Sequence, residues 1–567
     1  MATSIVRQLK SSMTVILPVL LVIYGVINSI SCAQSKPMAI ASAHPLATHA
    51  GLAILDAGGN AFDAAITVAS VLSVVEPQGS GLGGGGFFLL HRADDNVDVM
   101  IDAREKAPLA AYQRMFQNEQ GEVIKGASTQ GPLSAGVPGL PAGLVYLSEH
   151  YGRLPLSVTL QPAINLAEQG FRVSPRFRRL LQFRIRQMTV NNALQTIFQD
   201  QGQIPAAGFL LRQKDLARTL RLLSTFGWAG FYQGEVASLL VNGVQAGGGI
   251  WTQADLDAYH VVERKPVVGR YRGVKIISAA PPSSGGIVLL EVLNILSGYP
   301  LEIMTSDLRK HLIIEAMRRA YRDRAVYLGD PDFVQIPVEQ LLSIDYAAGL
   351  RVSIQFDQAL PSVFLNGPLA GQAGGEDTTH FSIMDHDGNR VAATLSINFP
   401  FGSGFVAPGT GVVLNNEMDD FVSRIGAVNG YGLTGGEANS IGAGKRMLSS
   451  MTPTFVEDEQ RIVALGTPGG SRIISMLVVA ILELTQGADV QAMVDAPRFH
   501  HQYLPDQVQY EPGALTLAEI KALQLRGHRL EETSKHYGDM QAVSWQKDKQ
   551  VMTAASDSRG EGLALVK

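Results

Sequence analysis

Cysteine is the residue that this sequence most conspicuously lacks. Its 567 residues include a single cysteine, Cys32, which lies in the N-terminal segment. If that segment is removed after Ala33, the mature chain has no thiol at all. The shortage therefore argues against structural disulfides, a cysteine nucleophile and a cysteine-ligated metal.

Charge is also scarce, since charged residues make up 17% of the chain and the formal net charge is -5. Without a surplus of basic residues, neither a nucleic acid nor an anionic membrane is expected as the main partner. The hydrophobic share of 46% fits large and well-filled cores. These values favour one large α/β unit that acts on a small ligand.

The N-terminus has the pattern of a targeting segment. Arg7 and Lys10 precede an apolar run at 15–27, and Ser31-Cys32-Ala33 offers a small-x-small cleavage site. We expect residues 1–33 to be a signal peptide and the mature protein to be exported to the periplasm or the extracellular space. An uncleaved anchor is one alternative, and a lipidated Cys32 is another.

A threonine lies where a glycine-rich segment meets a predicted β-hairpin. Residues 371–376 have no apolar period, whereas residues 381–397 alternate around the turn at Asp387-Gly388. Thr378 stands at the junction. A cut between Asp377 and Thr378 would give Thr378 a free α-amine, which can act as the base for its own hydroxyl. The other interpretation is an ordinary β-branched residue at the start of a strand.

The segment before this junction predicts alternating helices and strands. We expect helices at 47–57 and 61–75, a strand at 274–279, and helices at 287–296 and 306–328. A glycine-rich run, Gly79 to Gly86, lies between a helix and a strand. A dinucleotide-binding loop has the opposite order, so backbone crowding near an active site is the better interpretation.

Arginines are concentrated in two of the predicted helical segments. Six occur between Arg172 and Arg186, and several more lie in the helix at 306–328, opposite its apolar face. Both sets are predicted to form solvated surfaces.

Three motifs follow the hairpin. Glu417, Asp419 and Asp420 form an acidic cluster whose spacing is not that of a calcium loop. The glycine-rich stretch 426–444 indicates a flexible flap. Pro468-Gly469-Gly470 precedes an apolar helix, so its N–H groups could hold an oxyanion, or could simply cap the helix.

Taken together, the ordered motifs resemble the γ-glutamyltranspeptidases, or glutathione hydrolases, from about Ala39 to the C-terminus. The motifs are Pro281-Pro282-Ser283-Ser284-Gly285-Gly286, Thr378-Thr379-His380, Leu414-Asn415-Asn416-Glu417-Met418-Asp419-Asp420-Phe421, Lys445-Arg446, Leu448-Ser449-Ser450-Met451, Pro468-Gly469-Gly470-Ser471-Arg472 and Ala496-Pro497-Arg498-Phe499-His500-His501-Gln502. The resemblance implies a four-layer αββα N-terminal-nucleophile hydrolase. It also implies a precursor that cuts itself between Asp377 and Thr378, giving interleaved subunits 34–377 and 378–567.

The resemblance also implies a role for each matching residue. Thr378 would be the nucleophile and Ser396 its hydrogen-bonding partner, with Gly469 and Gly470 forming the oxyanion hole. The other implied positions are Arg104, Ser449 and Ser450 for the substrate α-carboxylate, Asn398, Glu417 and Asp420 for its α-amino group, and Tyr431 in the flap.

The implied reaction transfers a γ-glutamyl group from glutathione or a similar amide to water or to an amino-acid or peptide acceptor. Neither a cofactor nor a metal is expected. A cephalosporin (glutaryl) acylase on the same scaffold is the first alternative, and it would be expected to lack the ammonium-binding acid at Asp420. An exported binding protein without chemistry is the second.

Overall fold

The computed structural model describes residues 37–187, 193–365, 367 and 378–567. The predicted targeting segment 1–33 and Asp377, on one side of the predicted cut, lie outside the described residues. Within the described part of the chain, no helix combines the length and the apolar character needed to cross a bilayer.

Two antiparallel sheets form the centre of the molecule. The strands are β1 (Ala39–Ser42), β2 (Gly85–Arg92), β3 (Val97–Ala103), β4 (Phe171–Arg172), β5 (Leu210–Leu211), β6 (Val262–Arg264), β7 (Val267–Tyr271), β8 (Val274–Ser278), β9 (Thr379–Met384), β10 (Arg390–Ser396), β11 (Thr454–Glu457), β12 (Arg461–Gly466), β13 (Phe499–His500), β14 (Val508–Tyr510), β15 (Leu530–Glu532), β16 (Gln541–Gln546), β17 (Val551–Ser556) and β18 (Leu563–Val566). One sheet has the order β18-β1-β9-β10-β2-β3-β6, and the other β17-β16-β12-β11-β8-β7.

Helices cover the outer face of each sheet. The helices are α1 (Pro45–Asp56), α2 (Ala61–Val75), α3 (Leu140–His150), α4 (Leu156–Thr159), α5 (Gln161–Gln169), α6 (Pro175–Gln187), α7 (Ala193–Phe198), α8 (Lys214–Phe226), α9 (Ala229–Tyr232), α10 (Gly234–Ala246), α11 (Gln253–Asp257), α12 (Gly285–Leu296), α13 (Ser306–Tyr327), α14 (Val338–Leu341), α15 (Ile344–Arg351), α16 (Ile473–Thr485), α17 (Val490–Val494) and α18 (Leu517–Leu525). Helices α1 to α3 pack on the seven-stranded sheet, and α12 and α17 on the six-stranded one. The predicted αββα sandwich is confirmed.

Side-chain alternation on the strands explains why two sheets can stack between two helical layers. On β2, Phe87 and Leu89 belong to the core shared by the two sheets, while Phe88 and Leu90 belong to the core beneath α2. Successive side chains on a strand point to opposite faces, so an uninterrupted apolar strand fills both cores. Both faces of the seven-stranded sheet are therefore buried.

Strands from both sides of Thr378 pair with each other in both sheets. In the first sheet β9 lies between β1 and β10, and β10 pairs with β2. In the second sheet β11 lies between β8 and β12. The parts of the chain before and after Thr378 therefore share both sheets and both cores.

The predicted elements agree with the observed ones apart from one or two residues at their ends. The hairpin turn is fixed by Asp385, whose Oδ1 accepts hydrogen bonds from the N–H groups of Asp387 and Asn389. Helix α1 begins at Pro45, two residues before the predicted start. Helix α12 begins at Gly285 rather than at residue 287.

The prediction of solvated arginine faces is wrong for several residues. Arg184 is buried and donates hydrogen bonds to the carbonyl oxygens of Thr129 and Gly402. On α13, Arg318 and Arg319 are buried as well, and both pair with Glu315. A guanidinium can be buried when carboxylates and carbonyls accept from its donors, and the partners here are distant in sequence or lie on the same helix.

The run Gly79 to Gly86 is crowded by backbone, as predicted. A Cβ on Gly84 would overlap the carbonyl oxygen of Ser396, and one on Gly83 would overlap that of Val413. Only glycine permits this approach, which brings the loop before β2 against the end of β10.

We predict that Gly84→Ala lowers the apparent unfolding temperature, because overpacking a filled site costs about 1–3 kcal/mol. Gly349→Ala is the matched control. Gly349 lies in α15 with open space around its Cα, so alanine there should maintain or raise stability. Thermal unfolding followed by fluorescence makes the comparison. Equal unfolding temperatures for the two variants would contradict the crowding at Gly84.

Candidate active site

Thr378 lies immediately before β9 and is 4% exposed. The pairing of Leu395 with Thr379 places Ser396, the last residue of β10, beside Thr378. Both residues line a cavity of about 20 Å³. Ser396 Oγ also accepts a hydrogen bond of 2.7 Å from the N–H of Asn398.

This cavity brings together nine of the predicted site residues. They are Thr378, Ser396, Asn398, Arg104, Glu417, Asp420, Tyr431, Ser450 and Gly470. Two predicted residues lie just outside its lining. Ser449 Oγ accepts from the N–H of Met451, and Gly469 lines a neighbouring cavity.

A buried arginine forms the charged end of the cavity. Arg104, just after β3, places Nη1 2.7 Å from Glu417 Oε2 and Nη2 2.6 Å from Asp420 Oδ2. Its Nη1 also lies 3.5 Å from Glu105 Oε2. The residues predicted to hold a substrate carboxylate and a substrate ammonium are thus paired with each other in the structure without a ligand.

Burial and charge act in opposite directions on these groups. Burial alone would lower the pKa of Arg104, but Glu417, Glu105 and Asp420 outweigh it, so the pKa is raised. Burial raises the pKa of Glu105 to about 7, and Arg104 limits the rise. The pKa of Glu417 is raised well above its ordinary value, chiefly by burial. An added positive group in this cavity would favour the ionised forms of these acids.

The turn before α16 places Gly470 in the lining of the Thr378 cavity. Gly469 and Gly470 have φ values of 139° and 57°, both in the region that favours glycine. A Cβ on Gly470 would also overlap the Tyr431 ring. Both the backbone conformation and the close packing therefore require glycine at Gly470.

We call residues 421–445 the lid, because Tyr431 and Leu433 from this stretch line the cavity. Tyr431 Oη donates a hydrogen bond of 2.9 Å to the carbonyl oxygen of Asn398, and its ring packs edge-on against Phe399. The N–H of Gly430 donates to Asp419 Oδ2 at 2.7 Å. Tyr431 belongs to the stretch 426–444, which the sequence predicted to be a flexible flap.

Two residues beside the site were not predicted from the sequence. Arg324 on α13 is buried and donates to Ser450 Oγ at 3.2 Å and to Ser284 Oγ at 2.9 Å. Ser450 accepts from Arg324, so its own proton can be directed into the cavity. Glu76, at the end of α2, accepts a 2.6 Å hydrogen bond from Thr379 Oγ1, and burial raises its pKa to about 7. Nothing in a single sequence pairs Arg324 with Ser450, or Glu76 with the hairpin.

Asn415 fixes the position of the acidic turn. Its Nδ2 donates to the carbonyl oxygens of Gly83 and Gly136, both at 2.7 Å. Its Oδ1 accepts from the N–H groups of Gly136 and Glu417, both at 2.9 Å. All four hydrogen bonds of this buried amide are made, so the loop before β2 and the turn carrying Glu417 are held together.

A model of the γ-glutamyltranspeptidase family matches residues 47–566. The chain belongs to that family. A glutathione hydrolase proenzyme of Pseudomonas sp. (strain A14) is 46% identical over 495 residues, covering 86% of each chain. The prediction of a γ-glutamyltransferase on an N-terminal-nucleophile hydrolase fold is confirmed.

Solved structures of similar proteins include both transpeptidases and acylases. A cephalosporin acylase from Bacillus halodurans matches with a TM-score of 0.81 and 29% identity, covering 94% of this chain and 96% of its own. A chain of Helicobacter pylori γ-glutamyltranspeptidase matches with a TM-score of 0.56 and 43% identity. That match covers 57% of this chain and 94% of the solved one.

We predict that Tyr431→Phe loosens the lid of this γ-glutamyltranspeptidase family member. Losing one neutral hydrogen bond costs about 0.5–1.5 kcal/mol, so the open form should gain up to about tenfold in population. Hydrogen exchange of amides in residues 426–444 should accelerate accordingly, with little change in β9 and β10.

The control for this measurement is Tyr112→Phe, because Tyr112 is exposed and lies outside the lid. It should leave the exchange of residues 426–444 at the wild-type rate. A wild-type exchange rate in Tyr431→Phe itself would show that the Asn398 contact does not hold the lid closed.

Proposed function

We propose that this protein cleaves the γ-glutamyl amide of glutathione and related compounds and passes the γ-glutamyl group to water or to an amino-acid or peptide acceptor. The observation that carries the proposal is the cavity that Thr378 shares with Arg104 and Asp420. The relatives' name, glutathione hydrolase proenzyme, supports the choice of substrate.

The charged end of the cavity fits the free amino-acid end of a γ-glutamyl compound. Arg104 and Ser450 would hold the α-carboxylate, with Ser449 supporting them, while Asp420, Glu417 and Asn398 would hold the α-ammonium. A zwitterion brings one negative and one positive group, so each buried charge keeps a partner when the Arg104 ion pairs are exchanged for substrate contacts. Neither a cofactor nor a metal has a part in this scheme.

The chemistry begins at Thr378. Its α-amine takes the hydroxyl proton as Oγ attacks the γ-amide carbonyl carbon, and the resulting oxyanion is held by the N–H groups of Gly469 and Gly470. The C–N bond then breaks, the leaving amine takes the proton, and a γ-glutamyl ester remains on Oγ. Water or an acceptor amine attacks the ester in the same way and restores the hydroxyl. Ser396 would orient Oγ.

The free α-amine has to be made by cleavage between Asp377 and Thr378. Thr378 Oγ would attack the carbonyl carbon of Asp377, the C–N bond between the two residues would break, and the released amine would take the hydroxyl proton. Water would then hydrolyse the ester, which frees the Asp377 carboxylate and restores the Thr378 hydroxyl. Residues 34–377 and 378–567 would remain together as a heterodimer. The match to the Helicobacter pylori γ-glutamyltranspeptidase chain supports this scheme. It covers 94% of the solved chain but only 57% of this one, as expected if the solved chain corresponds to one of two fragments.

Residues 1–33 would direct the protein out of the cytoplasm. We propose a periplasmic or extracellular location after removal of this segment, with an uncleaved anchor as the alternative.

Thr378→Ala is expected to give one uncut chain, because the attacking oxygen is gone. Thr378→Ser keeps a hydroxyl and should still be cut. A denaturing gel with N-terminal sequencing of the smaller fragment makes the measurement. Normal maturation of Thr378→Ala, or a fragment beginning elsewhere than residue 378, would contradict this maturation scheme.

Asp420→Asn is expected to lower kcat/KM for a γ-glutamyl anilide by at least about 10-fold. A hydrogen bond to a charged group is worth about 1.5–3 kcal/mol, and about 1.4 kcal/mol is tenfold. The matching glutaryl anilide carries the carboxylate but no ammonium, so its kcat/KM should fall much less. Arg104→Ala should depress turnover of both anilides, since both carry the carboxylate.

Asp419→Asn is the matched control, because Asp419 faces Ser128 and the lid rather than the cavity. It should not change the ratio of the two anilide activities. Equal losses on both anilides for Asp420→Asn would remove Asp420 from the ammonium site and favour a glutaryl acylase, the activity suggested by the Bacillus halodurans neighbour.

A further inference from the structure

Arg324, on α13, is a buried cation beside the candidate active site. It is 5% exposed, and among the residues that the structure describes no carboxylate forms an ion pair with it. Burial lowers the pKa of Arg324 to about 10, and Asp420, which lies further away, limits the fall. The guanidinium is therefore protonated at neutral pH. A buried charge without an opposite charge is costly, so an anion that binds near Arg324 is favoured.

The hydrogen bonds of Arg324 go to two serine hydroxyls. Its Nε donates to Ser284 Oγ at 2.9 Å, and its Nη2 donates to Ser450 Oγ at 3.2 Å. Ser450 lines the cavity of Thr378, whereas Arg324 lines a smaller cavity of about 10 Å³ that it shares with Asp420. Arg324 thus lies behind Ser450 as seen from the cavity of Thr378.

Ser284 belongs to the motif 281–286, which no step of the proposed chemistry uses. The N–H of Ser284 and its Oγ both donate to the carbonyl oxygen of Ser449, at 2.8 and 2.7 Å. In return, the N–H of Ser449 donates to the carbonyl oxygen of Pro282 at 2.9 Å. The motif therefore fixes the backbone at Ser449, and Arg324 connects this motif to the next side chain, that of Ser450.

The contact with Arg324 also decides what Ser450 can offer to a ligand. A hydroxyl that accepts a hydrogen bond from a guanidinium keeps its own hydrogen for another acceptor. Polarisation by the cation makes that hydroxyl a stronger donor. An anion that accepts from Ser450 in the cavity of Thr378 would face the charge of Arg324 across a single hydroxyl group.

We propose that Arg324 is a positioning residue for the α-carboxylate of the substrate, which it attracts by its charge and orients through Ser450. This inference rests on the proposed function. It adds to Arg104 a second cation, one that does not touch the substrate. The motif 281–286 serves the same end, because Ser284 holds both Arg324 and the backbone of Ser449. The ligand class is an amide whose acyl part carries a free carboxylate at the end remote from the amide.

The test is Arg324→Gln, assayed with three anilides that share one leaving group. The γ-glutamyl anilide carries both charges, the glutaryl anilide only the carboxylate, and the 4-aminobutanoyl anilide only the ammonium. We expect kcat/KM to fall about tenfold for the first two and to stay within about twofold of the wild type for the third. The loss should appear in KM, because a carboxylate remote from the reacting carbon is bound alike in the ground state and the transition state.

Two further variants separate the charge from the fold. Arg309→Gln is the matched control, because Arg309 lies on the same helix, donates to Gln486 and lines neither cavity. It should leave the kinetics of all three anilides unchanged. Arg324→Lys keeps the positive charge, so it should restore most of the activity on the two anilides that carry a carboxylate.

If Arg324→Gln gives no folded protein, Ser284→Ala takes its place. This variant keeps the guanidinium but removes one of its hydrogen-bond partners, so KM for the two carboxylate-bearing anilides should rise about two- to threefold. An unchanged KM in this variant would overturn the inference.

The remaining outcomes distinguish this inference from the function on which it rests. Equal losses on all three anilides in Arg324→Gln would show a general structural role, and wild-type kinetics would show no role; either result overturns the inference alone. A wild type that turns over none of the three anilides overturns the proposed function instead.

Discussion

A guanidinium that is buried away from water must be neutralised by the groups around it. Arg104 is buried in this way, and several separate segments of the fold supply its partners. Three carboxylates lie within 3.5 Å of it, and its backbone carbonyl accepts a hydrogen bond from Tyr259 Oη. These partners come from the end of β3, from the acidic turn and from the segment after α11. Breaking one buried ion pair of this kind costs about 3–5 kcal/mol, so the segments that meet here are held in register by charge as well as by packing.

The binding role proposed for this cluster rests on charged groups that pair with one another. Glu417 and Asp420 form ion pairs with Arg104. The cavity that all three residues line has a volume of about 20 Å³. A ligand that carries both charges can replace these contacts one for one, whereas a ligand with a single charge leaves a buried group unpaired. Selectivity for an amino-acid end follows from this cost.

Much of the fold could be predicted from local sequence. The hairpin of β9 and β10 has a two-residue alternation and an Asp-Gly turn, and α2 has a capping residue, Asn60, at its start. The members of the Thr378 cavity could be predicted only through the family resemblance. They lie on separate segments between Arg104 and Gly470, and no pattern in one segment shows that it will meet another. Arg184, Arg318 and Arg324 were misjudged or missed for the same reason, because their partners are set by tertiary structure.

Both sheets combine strands from before and after Thr378, which would affect how long the protein stays folded if it is cut there. An intact chain that unfolds can refold as one molecule, since the link at Thr378 keeps both halves at high effective concentration. Once that link is cut, each half lacks the strands that complete its sheets, and recovery requires two separate polypeptides to find each other in dilute solution. The lifetime of the cut protein would then be set by its rate of unfolding, which depends on the height of the unfolding barrier. It would not be set by a reversible folding equilibrium. Because the two fragments share both sheets, a cut molecule that unfolds would not readily refold.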